Sequence, residues 1–320
     1  MMRYFPVTDN SLHTEQAFTH RSSLISALVT GELTPAPIWK KRNYRLKFLL
    51  RTLLFYTPTR RMLRSLSQRP NFGQLLKAQV TLPSKPHRQY LTLGMNACQR
   101  ADAVVSHYEF IDTLTGSRLS QALMSADETP LIVLEGKDAS HFTLSASCAS
   151  KAEREGETTL WLHDASRTLL ASVTFSVVNN HGEWQLVIGG LQGPRRNVSH
   201  EVIKQATRAC HGIFPKRLLM EFIWLFASHS GISTVYGVSD NGHVFRALRY
   251  RLSKGRHFHA SYDEFWASVE GVKENRWRWR LPCEMARKPL ESIASKKRAE
   301  YRRRFQLLDS LADQVAALTK

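Results

Sequence analysis

Between Leu131 and Leu191 five apolar runs of strand length follow one another: LIVLEG, HFTLSAS, TTLWLHD, LLASVTFSVV and EWQLVIGGL. Only turn-rich or charged tracts separate them, so an antiparallel meander is the natural reading. NNHG at Asn179 to Gly182 joins the last two runs as a hairpin. Beyond Leu191 the pattern becomes helix, helix, strand, helix. SHEVIKQATRACHG starts at Ser199 and stops at Gly212, with Arg208 and His211 in its last turn, where cations suit the helix dipole. FPKRLLMEFIWLFASHSG has Pro215 in its first turn and is apolar on nearly every side, which predicts a helix buried against a sheet face. ISTVYGVSD reads as a strand, with Asp240 placed to cap the segment that follows. SYDEFW offers a capping box of Ser261 and Glu264.

Helices flank this block. SSLISALVTG predicts a short helix ending at Gly31, and Pro35 and Pro37 force an extended passage after it. KKRNYRLKFLLRTLLFY then sets Leu46, Leu50 and Leu53, with Leu49 beside them, against Lys41, Arg45, Lys47 and Arg51, a basic amphipathic helix. Two roles are open to it, an intramolecular cover or a membrane or partner surface, with Lys40, Lys41, Arg45, Lys47 and Arg51 as the surface residues. The tail SKKRAEYRRRFQLLDSLADQVAAL is a long helix whose cations crowd its start, against its own dipole. The fold class expected is therefore α+β: a mixed, mostly antiparallel sheet with basic N-terminal helices and a long C-terminal helix. The organisation expected is a disordered stretch over 1–22, a basic helical region over 23–100, a sheet-and-helix domain over 101–289, and a C-terminal basic helix over 290–320 packed on that domain.

With 320 residues, 42% of them hydrophobic, the chain can fill one large or two ordinary cores. Cys98, Cys148, Cys210 and Cys283 form no C-x-x-C pair, which argues against a zinc cluster or a disulfide framework and fits a reducing cytosol. The N-terminus lacks the pattern of a signal peptide. The most apolar windows, from Phe48 and from Leu218, fall short of the roughly 20 residues that span a bilayer. A cytoplasmic protein is the expectation, with peripheral attachment to the inner membrane as one of the two roles open to its basic helix.

Net charge is +18 and unevenly spread. No acid lies between Glu32 and Asp102, an interval with 14 Lys and Arg; Asp102 to Leu191 carries 12 acids against 5 bases; the remainder has 24 bases against 12 acids. Basic material flanking an acidic centre favours anionic partners: an anionic ligand, a membrane surface, or nucleic acid. RWRWR, Arg276 to Arg280, could stack on bases, but no nucleic-acid-binding motif accompanies it, and core cover with a solvated edge is the better reading. His257 and His259 share a strand face without a third ligand, so no metal site is expected. VIGGLQGPRRN, Val187 to Asn197, presents Gly190, Gln192 and Gly193 with Arg195 and Arg196, a candidate anion or cofactor cradle. Pro194 removes one amide donor, and glycines at a strand exit also serve turns and bulges, so both readings stand.

GGLQG, KQATRACHGIFPK, YGVSDNGHVFR, YDEFW and SKKRAEYRRRFQLLDSL, in this order, make the chain resemble the VirK/YbjX family of Gram-negative bacterial proteins over roughly residues 25–315. It departs at Ile213 and Phe214, where the family usually has leucine and arginine, and at SVEGV, where a glycine-rich ending is usual. The resemblance implies a stress- or virulence-associated role in envelope fitness and resistance to cationic antimicrobial peptides, with no assigned reaction. The order of elements is also similar to a GNAT-type acyltransferase. That likeness implies two neighbouring parallel strands, near Trp184 to Leu191 and Ile232 to Val238, that part around acyl-CoA. The family's phosphate signature is not matched, since Arg195 and Asn197 follow Gln192 where glycines are required. Were chemistry present, Asp240 or His243 would supply a general base and Tyr262 a proton donor; capping and packing are the plainer roles. Three readings follow: binding of an anionic ligand or surface, an acyl-CoA- or aminoacyl-dependent N-acyltransferase, and a nucleic-acid-binding regulator.

Overall fold

His181 and Gly182 both have positive φ, 55° and 92°, the primed turn geometry whose twist matches that of paired strands. This two-residue turn joins β4 (Leu169–Asn180) to β5 (Glu183–Gln192) and fixes their register from Asn180 opposite Glu183. In the computed structural model, which describes residues 23–319 apart from 115–116, 196, 248–260 and 285, the hairpin is the centre of an eight-stranded sheet. β1 (Thr129–Glu135), β2 (His141–Cys148) and β3 (Thr158–Asp164) precede it, each antiparallel to the next, as the meander predicts. β6 (Ile232–Val238) pairs parallel with β5, and β8 (Arg278–Leu281) lies antiparallel between β6 and the short β7 (Val272–Lys273). The fold is α+β with a mixed, mostly antiparallel sheet.

The N-terminal helices are α1 (Leu24–Thr30), α2 (Arg42–Leu54), α3 (Tyr56–Ser67), α4 (Phe72–Ala78), α5 (Ala97–Thr113) and α6 (Arg118–Met124). After β5 come α7 (His200–Ala209) and α8 (Pro215–His229), after β6 comes α9 (Tyr262–Ser268), and α10 (Ser295–Leu318) ends the chain. Alternation along the strands divides the core. Leu186, Ile188 and Val235 face α8 and α10; Val187 and Tyr236 face the opposite way, onto Trp39, Phe48, Met62 and Val104 of the N-terminal layer. Helices thus cover both sheet faces. Leu307, Leu311 and Val315 bury one stripe of α10. At the outer edge of β1 the Val133 N–H donates to Gln314 Oε1 (3.2 Å) and Gln314 Nε2 donates back to the Val133 carbonyl (3.0 Å), which satisfies that part of the edge.

The N-terminal layer is tied to the sheet by Glu157, whose carboxylate is fully buried. Lys85 pairs with it, Tyr90 Oη donates to Oε1 at 2.6 Å, and Tyr108 Oη (2.7 Å) and Gln79 Nε2 (2.8 Å) donate to Oε2. A buried carboxylate with this many donors costs far less than an unpartnered one.

Two local expectations are corrected. The Ser261 and Glu264 capping box does not form. Asp240 Oδ1 instead accepts from the Tyr262 N–H at 2.7 Å, so Asp240 caps α9 from 22 positions upstream rather than the segment directly after it. The leucine row of α2 is not an intramolecular cover: Phe48 and Thr52 turn inward, and Leu46, Leu50 and Leu53 remain exposed. Residues 1–22, His257 and His259 lie outside the described residues, as does Arg196.

Candidate functional site

β5 and β6 run side by side from Trp184 opposite Ile232 to Ile188 opposite Gly237, and their pairing ends there. Gly190, Leu191 and Gln192 continue along β4 alone, with Gly189 as the extra residue of a bulge opposite Phe175 and Thr174. The pairing thus stops one residue before the end of β6 and four before the end of β5.

The space beside it is filled by the segment between β2 and β3. A Cβ on Gly189 would sit 2.0 Å from the Glu155 carbonyl oxygen, and one on Gly190 would sit 2.0 Å from Glu155 Oε2. The glycine pair therefore admits a carboxylate of the same chain. Gln192 Nε2 donates to both Glu155 oxygens, at 3.3 and 3.1 Å, and His243 Nε2 lies 3.2 Å from Oε1. His243 Nδ1 accepts from the Phe245 N–H at 3.3 Å, which places the ring proton on Nε2, directed at Glu155. Tyr262 stacks on the imidazole, centroids 5.3 Å apart and planes 18° from parallel, and its hydroxyl accepts from the Leu191 N–H at 3.4 Å. Burial, with the Glu155 and Asp240 charges, pushes the Tyr262 hydroxyl well above the usual tyrosine range.

His243, Glu155 and Tyr262 are each at most 2% exposed. With Nδ1 held by a backbone amide and Nε2 by a carboxylate, the imidazole acts as a strut, and no water-facing lone pair is left for proton abstraction. The acyl-CoA wedge implied by topology does not fit between these strands, because Glu155, His243 and Tyr262 already occupy the gap. Asp240 is spent on the cap of α9, and its own N–H donates to Asp263 Oδ1 at 2.9 Å. Burial alone would raise the Asp263 carboxyl; bonds from Lys273, the Asp240 amide and Trp279 hold it below the usual range.

The residues singled out from the sequence divide among several places. Gly190, Gln192, His243 and Tyr262 converge on Glu155. Gly193 borders a different feature, a cavity of about 480 Å³ at the start of α8. Exposed Arg195 lines a smaller one of about 220 Å³ with Glu128, Lys151 and Trp161. Lys40, Lys41 and Lys47 are exposed on or beside α2, whereas Arg45 and Arg51 are half-buried, Arg45 packing its guanidinium on Gly31. Glu155 and Glu157 are absent from the sequence-based candidates. The signal available was two acids alternating around Gly156 at the entrance of an apolar strand, where a simple turn needs no such pair.

At this point the chain can be set beside known proteins. A family model described as "Protein of unknown function (DUF535)" matches residues 37–317. The uncharacterized protein YbjX of Escherichia coli K12 is 37% identical over 310 residues, spanning 95% of this chain and 94% of the relative. A protein described as membrane protein LapB, from Mannheimia haemolytica, is 25% identical over 205 residues, 62% of this chain and 85% of LapB. Among solved structures, a mutant of a cAMP-binding acyltransferase from Mycobacterium smegmatis aligns over 69% of this chain and 61% of its own, at 8% identity and a TM-score of 0.27.

Proposed function

The chain belongs to the DUF535 family, which includes YbjX, and on that footing we propose that it is a binding protein that docks on an anionic lipid leaflet through α2 and α3. The carrying observation is the open leucine row. Leu46, Leu50, Leu53 and Leu54 are 55, 55, 66 and 78% exposed. At 3.6 residues per turn they share an arc of about 100°. Arg42 and Lys47 border the arc, Lys40 and Lys41 are exposed just before α2, and Arg60 and Arg64 are exposed on the following helix α3. Among the described residues nothing covers the row, and no acid lies in sequence between Glu32 and Asp102 to offset the bases.

The energetics favour a charged bilayer. Complete burial of a leucine is worth about 1.5–3 kcal/mol, so removing the exposed fractions from water yields about 1 kcal/mol or somewhat more per side chain. Each base near an anionic leaflet adds about 1 kcal/mol. Neither set alone holds a protein at a membrane; together they do. No helix among the described residues is long and apolar enough to cross a membrane, and the attachment proposed is a peripheral one. The description of LapB as a membrane protein is in keeping with this placement. A basic protein on the inner leaflet also suits the role implied by the family resemblance, envelope fitness and resistance to cationic antimicrobial peptides. The transferase reading has less support, because the gap between β5 and β6 is filled.

The test is co-sedimentation with phosphatidylglycerol-containing vesicles against neutral phosphatidylcholine vesicles, with Leu50→Ser/Leu53→Ser as the variant. Binding to the anionic vesicles only, weakened by salt and at least tenfold lower in the variant, is expected. Equal recovery with neutral vesicles, or an unaffected variant, would exclude docking by this face.

A further inference from the structure

The start of α8 combines features that a closed protein surface does not need. Phe214, Pro215, Lys216 and Arg217 line the cavity of about 480 Å³, with walls from Leu170, Ile203, Phe265 and Val269. Its size falls within the range of small-molecule sites, about 300–1,000 Å³, and its walls are mostly apolar. At the rim Phe214 is 63% exposed, a large aromatic surface left to water. No side chain caps the first turn of the helix, and Pro215 there has no N–H.

The two cations at this helix start are treated differently. Arg217 is neutralised by Glu221, with Nε and Nη2 donating to Oε1 at 2.8 and 2.7 Å, and it lies over the Trp224 ring. Lys216 has no carboxylate within ion-pair distance among the described residues; its Nζ sits 5.9 Å from the centre of the Phe265 ring. Its stem lies along Gly193, where an added Cβ would be 3.7 Å from Cε. Burial lowers its pKa, and no acid compensates. A half-buried ammonium facing an apolar cavity at the positive end of a helix is short of one anion.

We propose that this cavity binds a small anionic amphiphile, an aliphatic or aromatic body bearing one carboxylate or phosphate group, with the body against Leu170, Ile203 and Phe265 and the anion on Lys216. The apolar walls recognise the body by burial, and the ammonium selects the charge. This site is independent of the lipid-docking face, since α8 lies on the opposite side of the sheet from α2 and α3.

Calorimetric titration of the full chain with octanoate, octyl phosphate, octanol and octyltrimethylammonium, all below their micellar concentrations, tests it. The two anions bind at least tenfold more tightly than octanol, the cation does not bind, and the better of octanoate and octyl phosphate identifies the head group. Lys216→Met keeps the stem and brings both anions down to the level of octanol. Because that variant loses a charge, a second readout uses the wild-type side chain: the NMR signal of reductively methylated Lys216 titrates at higher pH with octanoate present than without. Octanol binding as tightly as octanoate, Lys216→Met retaining the preference for anions, or a Lys216 titration unmoved by octanoate would each overturn the assignment.

Discussion

Acid should unfold this protein through two buried histidines, by an amount the structure specifies. His107, 1% exposed on α5, accepts from the Val177 N–H at Nδ1 (3.1 Å) and lies 3.1 Å from Thr158 Oγ1 at Nε2. His87, 8% exposed, lies 3.0 Å from Thr59 Oγ1. Burial drives both from the ordinary 6.5 down to about 4; for His107 Glu157 opposes the shift while Lys85 and Arg69 add to it, and for His87 Arg51, Arg88 and Arg100 all add to it. Between pH 4 and 6.5 the unfolded chain therefore binds more protons than the folded one, so stability rises with pH across that window and is lost as pH falls through it. Each histidine contributes about 3 kcal/mol over the whole interval, of which about 2 kcal/mol is gone by pH 5. Protonating His107 also removes the acceptor of the Val177 amide in the middle of the sheet. Denaturant unfolding followed by tryptophan fluorescence at pH 7 and pH 5, on wild type and His107→Gln, isolates one group because all other titrations cancel. The variant should start less stable and lose about 2 kcal/mol less than wild type between the two pH values. Equal losses would refute the premise that His107 is held neutral by burial.

Two further substitutions probe the buried carboxylates. Lys85→Met leaves the sealed Glu157 charge with only Tyr90, Tyr108 and Gln79, and should cost about 3–5 kcal/mol in denaturant unfolding, most of it recovered in Lys85→Met/Glu157→Gln. Gly190→Ala drives a methyl group to 2.0 Å from Glu155 Oε2 and should destabilise by about 1–3 kcal/mol, whereas Gly193→Ala, with 3.7 Å to Lys216, should stay within about 0.5 kcal/mol; equal melting temperatures would refute the cradle.

Much of the frame was legible because its signals are local. The hairpin turn needs two residues with positive φ, and NNHG supplies them; the all-round apolar helix from Pro215 has nowhere to go but a sheet face. What escaped depends on distance along the chain. Glu155 meets His243 across 88 positions and Gln192 across 37, and although the acid–Gly–acid step in KAEREGE stands out, nothing in that tract names the distant partners that seal it. The sequence places Asp240 as a cap of the segment directly after it, but the helix it caps begins at Tyr262, because the fold returns α9 to the end of β6. For α2 the periodicity defined a leucine face without saying which way it turns. Phe48, stacked edge-on to Trp39 at 5.0 Å, won the interior and left the leucines out.

The charge pattern acquires a sharper meaning once burial is known. In sequence, the acidic centre looks able to balance the basic segments around it. In space, Glu155 and Glu157 are sealed, each held by its own donors, and neither contributes to the outer surface. On the helical layer Asp102 reaches Arg61 and Asp112 reaches Arg69, but Lys40, Lys41, Arg42, Lys47, Arg60 and Arg64 make no ion pair among the described residues. Part of the uncompensated positive charge of the folded molecule therefore lies on and beside α2 and on α3, with the exposed leucines, and a further part lies at the start of α10, where Lys296, Lys297, Arg302 and Arg303 are exposed. In the docking proposed above, such charge orients the protein before contact with an anionic leaflet, and the leucines act only after contact. Removing bases should then slow association, while removing leucines should speed release.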